Sequence, residues 1–430
     1  MIQGGAPLSG EIVAAGNKNA ALPILAACLL TEEELLIDNV PRIRDVDSML
    51  DLLKGLGVKV EWTGENQVRL QADAVDEAHQ VDEGPASRIR ASFLAAGPLL
   101  ARFGEAKIPP PGGDTIGRRR LDAHLDAFRD LGATVGGESW IELGAPKSGL
   151  KATRIFMDEP SVMGTENALL AAALTPGPTT IANAASEPHV QDLARLLVAM
   201  GAEVDGIGSN VMTVHGRDKL GGARHKVCPD HIEIASFMAL AAVTGGELRI
   251  RETSPEDLEG IRRQFKRIGL NSMVEGDDVL VPEGQVLKIR DDQGDAIPKI
   301  DDGPWPAFPA DLTSIALALA TQADGTILIF EKMFENRLFF VDKLVAMGAR
   351  ITLCDPHRAI VSGPSRLHGE RLESPDIRAG MAMLIAALAA EGTSEIGNIA
   401  QIDRGYEKID ERLRDLGARI ERVSSERVPA

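Results

Sequence analysis

Aromatic side chains are scarce in this sequence: three Trp, one Tyr and eleven Phe among 430 residues. Stacking platforms for bases or sugars are correspondingly few, and the cores must be built from Ala, Leu, Ile and Val. Cysteine is nearly absent. Cys28, Cys228 and Cys354 form neither a C-x-x-C pair nor an even framework, so they read as buried thiols, not disulfides or metal ligands. The longest apolar stretches, such as Leu22 to Leu30, fall short of the roughly 20 residues that span a bilayer. Met1-Ile2-Gln3-Gly4 lacks the basic and apolar regions of a signal peptide, so a cytoplasmic protein with no membrane partner is expected. Positive charge is in deficit: 46 Lys plus Arg against 64 Asp plus Glu give −18 at pH 7. That balance disfavours a nucleic-acid partner bound through overall basic charge, and any anion site must be local. The eight histidines show no metal-ligand spacing, so no metal is expected. The phosphate-binding loop, the dinucleotide fingerprint, the H-E-x-x-H helix and the G-x-S-x-G elbow are all missing, and no cofactor is expected.

What is present is a repeat. At this length a single core is too small, and two domains are the prior. Six times a helix-like stretch ends in an apolar residue and a glycine, then runs into a short strand. The stretches are LLKGLGVKV, AFRDLGATV, LLVAMGAEV, QFKRIGLNS, KLVAMGARI and RLRDLGARI. Their glycines, Gly57, Gly132, Gly201, Gly269, Gly348 and Gly417, are spaced by 75, 69, 68, 79 and 69 residues. Glycine just past a periodic apolar segment supplies a left-handed C-cap. Each unit also carries an Ala/Leu-rich helix that is apolar on nearly every face and therefore buried, as in ALPILAACLL, NALLAAALTPG and AGMAMLIAALAAEG. An α/β fold follows: six units of about 70 residues, three per domain, with buried helices at each centre and sheets outside. The N-terminus, with its turn at Pro7 to Gly10, is free to pair with the last unit, and crossings near residues 18 and 229 make a natural hinge beside a cleft.

The unusual turns fall at repeat ends. GNKNAALP places Lys18 and Asn19 at the start of a buried helix, where unpaired N–H groups favour an anion; the plain alternative is Asn19 as N-cap with Lys18 solvated. PPPGGDTIGRRRLDAH, from Pro109 to His124, has the composition of a lid, with Asp114 at its tip. In extended chain Arg118 and Arg120 face one way and Arg119 the other. Arg90, Arg337, Arg378 and Arg404 sit at corresponding repeat ends, and planar guanidinium forks suit carboxylates and phosphates. The rival reading pairs Arg378 with Asp376 and Arg404 with Asp403. In PAFPADL, Asp311 is placed to cap a helix starting at Leu312, or to act as a base. The segment from Lys288 to Pro304 reads as a surface excursion.

GNKNAALP, RASFLAAGPLLARFG, PGGDTIGRRRLDAH, FPADL, FENR, DIRAG and IDRGYEKI, in that order and over essentially the whole chain, resemble the enolpyruvyl transferases. The resemblance implies a two-domain inside-out α/β barrel, with residues 19–229 as the lid-bearing domain and residues 1–18 and 230–430 as the second. It implies transfer of the enolpyruvyl group of phosphoenolpyruvate to the 3′-hydroxyl of UDP-N-acetylglucosamine, with release of phosphate, the first committed step of peptidoglycan synthesis. Lys18, Asn19 and Arg119 would contact phosphoenolpyruvate, Lys18 and Arg119 near its phosphate. Arg404 would lie between phosphate and carboxylate, and Arg337 and Arg378 would hold the carboxylate. Arg90, the run Arg119, Arg120, Leu121, Asp122, Ala123 and His124, the turn Ser161, Val162, Met163 and Gly164, Asp311 and Met333 match positions that hold the nucleotide sugar. Asp311 would take the hydroxyl proton. Alternatives are the same chemistry on another UDP-sugar or nucleotide, or a catalytically silent binding protein.

The sequence departs from the common family pattern at several of these positions. Met163 stands where glycine is usual, Leu94 where some members have tryptophan, His231 where arginine is usual and Arg120 where proline is usual. Glu159 would oppose a diphosphate if it pointed inward. Most importantly, Asp114 occupies the lid position where most members carry cysteine. A carboxylate is a far poorer nucleophile than a thiolate toward an epoxide. The protein should therefore resist the covalent epoxide inhibitor fosfomycin: mass spectrometry after prolonged exposure is expected to find residue 114 unlabelled and turnover undiminished.

Overall fold

The six junction glycines all adopt left-handed backbone, with φ between +91° and +109°. Each ends an amphipathic helix and releases the chain into a strand. The pairs are Arg44–Gly55 with Lys59–Trp62, Asp122–Asp130 with Thr134–Gly136 and Pro188–Ala199 with Glu203–Asp205. The other three are Glu259–Arg267 with Met273–Glu275, Val341–Ala346 with Ile351–Asp355 and Ile409–Asp415 with Arg419–Ile420. An L-residue with a side chain would be strained at each junction, so the repeat read from the sequence is a repeat of backbone geometry.

The computed structural model describes residues 1–423; residues 424–430, the end of the expected second domain, lie outside the described residues. The chain divides into two units. The first comprises Gly16–Asp114 and Arg119–Cys228; the second comprises Met1–Ala15, Thr115–Arg118 and residues from 229 onward. The divisions thus fall at 15/16 and 228/229, against the expected 18/19 and 229/230, and four residues of the Pro109 to His124 segment count with the second unit.

In the first unit the central helices are Lys18–Ala26, Ala96–Phe103 and Val162–Ala173. Three sheets surround them. Ala223–Lys226, Leu35–Asp38, Val68–Gln71 and Lys59–Trp62 form one; Glu203–Asp205, Val211–Gly216, Gly177–Ala182 and Arg154–Phe156 form another; Glu105–Ile108, Ile141–Gly144 and Thr134–Gly136 form a third. In the second unit the central helices are His231–Thr244, Thr313–Ala320 and Ile377–Ala389, buried almost from end to end. Its three sheets have four strands each. The N-terminal strand Ile2–Gln3 closes one of them, setting Ile2 opposite Ser394 on one side and Ile420 on the other, as the sequence suggested.

Each unit has its own apolar core of Ala, Leu, Ile, Val and Met with few aromatics. Each fully buried Leu, Ile or Val contributes about 1.5–3 kcal/mol, which is why helices of such weak polarity remain fixed at the centre. No helix among the described residues is long and apolar enough to cross a membrane.

Three local expectations are corrected. Cys28 is buried, whereas Cys354 is exposed on a strand. The Lys288 to Pro304 excursion is exposed only in part: Ile289 and Ile300 are buried, and Lys299–Asp301 pairs in parallel with Gly325–Phe330. Asn19 is not the cap of its helix. Asn17 is, accepting from the N–H groups of Asn19 (2.8 Å) and Ala20 (3.1 Å).

Candidate active site

Asp311 does not cap a helix. Pro309 opens a single tight turn, Ala310–Leu312, and the buried helix starts only at Thr313, with no side-chain cap. The Asp311 carboxylate instead receives two buried arginines. Arg337 Nη2 donates to Oδ1 at 2.9 Å, and Arg378 donates to Oδ2 from Nε at 3.1 Å and from Nη2 at 2.9 Å. The side chains of Arg337 and Arg378 are 3% and 5% exposed, against 27% for Asp311. Breaking such a buried pair from one side costs about 3–5 kcal/mol, because a cation is left desolvated and uncompensated.

Arg378 shows why reading neighbouring acids as partners fails. Asp376 does cap the Ile377–Ala389 helix, but by accepting from the backbone N–H groups of Arg378 and Ala379, while the Arg378 guanidinium reaches Asp311, 67 residues away. Its Nη1 also donates to the Tyr406 hydroxyl at 3.3 Å. Burial disfavours the Arg378 charge, yet the Asp311 carboxylate, with help from Tyr406 and Asp230, holds its pKa above the ordinary value. Asp403 is likewise taken by Arg422, at 2.7 Å. Arg404 ends the turn Ile399–Arg404, where its Nη1 donates to Gln401 at 2.9 Å. His231 opens the His231–Thr244 helix. Burial, reinforced by Arg378 and opposed by Asp311, lowers its pKa to about 4, so the imidazole is neutral at pH 7.

Met333 lies in the turn after the strand Gly325–Phe330 and is exposed. Its backbone N–H points to two buried carboxylates, Asp302 and Glu331, both at 3.3 Å. This pair carried no signal in the sequence. A Glu directly after an alternating strand is ordinarily a solvated strand end, whereas Glu331 is fully buried.

In the first unit Lys18 is buried, not solvated, and its ammonium meets Asp45 at 2.7 Å. Asp45 comes from the first turn of Arg44–Gly55 and had no distinguishing signal in the sequence. Asn19 follows Lys18 in the first turn of the same helix. Ser161 caps Val162–Ala173 by accepting from the Gly164 N–H at 3.2 Å, so the predicted turn Ser161 to Gly164 is a helix start. Val162 and Met163 are half-buried there, and Glu159 is exposed.

The Pro109 to His124 segment is tied to the Ser87 to Arg90 backbone. A Cβ on Gly112 would come within 1.8 Å of the Ser87 carbonyl oxygen, and Gly113 (φ +105°) lies against Arg90. The Gly112 N–H donates to Ala86 O at 3.1 Å. Arg90 Nη2 in turn donates to the carbonyl oxygens of Arg119 and Arg120, clasping the far end of the segment. Burial, aided by the Arg119 charge, lowers the Arg90 pKa to about 10, still fully protonated at pH 7. Arg118 and Arg120 are exposed and Arg119 is half-buried, as alternation requires. Arg120 pairs with Asp122 at 2.9 Å and reaches Asp158 at 3.6 Å. Leu121 and the exposed Asp122 lead into the next helix, whose Ala123 and His124 are buried. His124 sits edge-on to Phe93, with Nδ1 2.9 Å from Asn167 Nδ2. Burial, then the Arg90 charge, lowers its pKa to about 3, so it is a neutral core imidazole. Asn167 also fixes Phe93 O and Gly97 N, and it was not visible as a framework residue from sequence. Asp114, at the tip, is half-buried.

Three sheets around three central helices, repeated in both units, with one buried pair of arginines on a single carboxylate, make up the fold of the enolpyruvyl transferases. Residues 2–413 match the family described as EPSP synthase (3-phosphoshikimate 1-carboxyvinyltransferase), and the chain belongs to this family of carboxyvinyl transferases. It is 57% identical to the UDP-N-acetylglucosamine 1-carboxyvinyltransferase of Bradyrhizobium diazoefficiens, over 98% of this chain and 97% of that protein. It is 53% identical to the protein of the same name from Treponema denticola, over 98% of each chain. Among solved structures, the enolpyruvyl transferase NikO from Streptomyces tendae superposes with a TM-score of 0.86 at 25% identity, over 97% of each chain. EPSP synthase from Acinetobacter baumannii shares the fold, with a TM-score of 0.74 at 19% identity over 97% of each chain.

The Gly112 geometry makes a prediction. Gly112→Ala drives a methyl group into the Ser87 carbonyl and must displace the Pro109 to Asp114 stretch, while both cores stay untouched. Turnover is expected to fall on the order of 10²-fold, the effect of about 1 Å of misplacement, with the thermal melting curve nearly unchanged.

Proposed function

We propose that the chain transfers the enolpyruvyl group of phosphoenolpyruvate to the 3′-hydroxyl of UDP-N-acetylglucosamine and releases phosphate. The observation that carries the reading is the pair of buried guanidinium groups of Arg337 and Arg378, both within 2.9 Å of one carboxylate. Two planar forks held dry and side by side form a carboxylate receptor, and phosphoenolpyruvate brings a carboxylate. While Asp311 occupies that receptor, both of its oxygens accept hydrogen bonds from arginine. A substrate carboxylate that takes over the guanidinium edges frees an Asp311 oxygen to accept the sugar hydroxyl proton.

In this reading the reaction runs by addition and elimination. A proton is delivered to C3 of phosphoenolpyruvate, the sugar oxygen bonds to C2 as its proton passes to Asp311, and a tetrahedral adduct forms. Loss of a proton from C3 restores the double bond as the C2–O bond to phosphate breaks. Charge that develops at C2 and on departing phosphate is stabilised by fixed cations, more in the transition state than in the ground state. Lys18, Asn19 and Arg119 serve the phosphate, and Arg404 serves phosphate and carboxylate together. Arg90, Arg119 through His124, Ser161 through Gly164, Asp311 and Met333 serve the nucleotide sugar. Within that last group Arg90 and His124 act through what they hold: Arg90 clasps the chain at Arg119 and Arg120, and His124 anchors its helix through Asn167. Asp114 takes the place of the usual cysteine and delivers the proton to C3.

The test is phosphate release from phosphoenolpyruvate against a panel of UDP-sugars. Release with UDP-N-acetylglucosamine alone is expected; turnover with a different sugar reassigns the acceptor, and binding without release makes the protein a silent relative. Asp311→Asn, which keeps an acceptor for Arg337, is expected to lower kcat by at least about 10²-fold while the protein stays folded. Asp114→Asn should lose turnover yet retain nucleotide-sugar binding by calorimetry; unchanged turnover would remove Asp114 from proton delivery.

A further inference from the structure

Beside Arg337, facing its Nε, lies a second acid. Glu331 is fully buried and Asp302 almost so. Glu331 Oε1 accepts from the backbone N–H groups of Phe334 (3.1 Å) and Met333 (3.3 Å). Asp302 accepts from the N–H groups of Lys332 and Met333. Two carboxyl groups therefore hold every N–H of the turn Lys332 to Phe334, the turn that leads into Arg337. The other Glu331 oxygen, Oε2, stands 3.8 Å from Arg337 Nε, and neither atom has a hydrogen-bond partner. The hydroxyls of Thr313 and Ser314, which start the buried helix after Asp311, are likewise without partners. A buried carboxylate facing a buried guanidinium would ordinarily close to about 2.8 Å and take the bond. Here the guanidinium gives Nη2 to Asp311 instead, at 2.9 Å.

We propose that Glu331 is a positioning residue for the reaction: it anchors the turn that carries Arg337 and stands as a second acceptor beside the guanidinium Nε, leaving Arg337 to Asp311 and to the substrate carboxylate. This rests on the reading given above for Arg337 and Asp311. The charged and titratable groups facing Glu331 are Asp302 from the segment after Lys299–Asp301 and Arg337 from its own turn. Thr313 faces it from the central helix, and His357 closes the backbone beside it, with Nδ1 2.7 Å from Glu331 O. Burial raises the Glu331 pKa to about 8; the Arg337 charge opposes that rise and the Asp302 charge adds to it. An acid with a raised pKa is neutral below it and ionised above. Below about pH 8, then, Glu331 does not compete for Arg337. Above it the new carboxylate draws Arg337 Nε across the 3.8 Å gap and weakens its hold on the substrate.

The experiment measures kcat and KM for phosphoenolpyruvate from pH 6 to 9.5 in the native enzyme and in Glu331→Gln, with Asp311→Asn and Arg337→Ala alongside. The substrate phosphate, with its second pKa near 6, is already fully ionised through the upper half of this range. In the native enzyme KM for phosphoenolpyruvate should rise by roughly tenfold per pH unit above the ionisation, with kcat less affected. Glu331→Gln, permanently neutral and still an acceptor for the turn, should keep its KM within about twofold across the same range. An equal alkaline rise in Glu331→Gln overturns the proposal. So does a native enzyme whose KM is flat to pH 9.5, a result that needs no variant to fold. If Asp311→Asn and Arg337→Ala turn over normally, the reading of the site itself fails. If they are inactive while Glu331→Gln follows the native profile, only the role of Glu331 falls.

Discussion

A single carboxylate, Asp311, compensates two guanidinium groups that the fold has taken out of water. Moving either cation from solvent into the interior costs several kcal/mol, and only a well-placed counter-charge offsets it. Arg337 and Arg378 come from elements far apart in the sequence, a turn after a strand and the first turn of a central helix, so the contact also ties those elements together. The pair is ready to receive a carboxylate because it already holds one. Under the proposed function, recognition would be an exchange of partners between two carboxylates of similar shape, which avoids desolvating the arginines anew on each cycle.

The same economy explains how a chain of net charge −18 can bury cations. Its buried and half-buried cations are matched by acids: Lys18 with Asp45, Arg337 and Arg378 with Asp311, and the half-buried Arg412 with Glu233 at 2.9 Å. The excess of acid sits on the surface, where exposed ion pairs such as Arg366 with Glu391 contribute little to stability. Overall charge therefore says nothing about the sign of the site. What counts is which carboxylates are buried beside which cations.

This division also explains which features could be read from the sequence. Helix ends were legible because they are decided within one turn: the six junction glycines follow from local backbone geometry, and their φ values repeat closely. The buried helices were legible from composition over ten residues. Partners across the fold were not. Asp376 lies two residues from Arg378, but its carboxylate folds back onto the helix N–H groups while the guanidinium leaves in another direction. Asn19 read as the cap, but Asn17, two residues earlier, takes that role. Asp45, Asn167, Asp302 and Glu331 carried no local signal, because what distinguishes them is burial against residues remote in sequence.

The choice between lysine and arginine at the candidate site follows the number of acceptors each must meet. Lys18 has a point charge on a flexible stem and approaches Asp45 at one distance, 2.7 Å. Arg378 must serve Asp311 Oδ2 with two nitrogens and the Tyr406 hydroxyl with the third, and those acceptors lie in the plane of a rigid fork. An ammonium at that place could reach one of them but not both, and the other would remain buried without a donor, at a cost of roughly 1–3 kcal/mol. Arg337 uses the fork differently: Nη2 is committed to Asp311, while the neighbouring Nε faces Glu331 at 3.8 Å without bonding it. A guanidinium can thus stand between two acids and be shared unequally between them. A lysine, having no fixed edges, would settle on whichever carboxylate was charged.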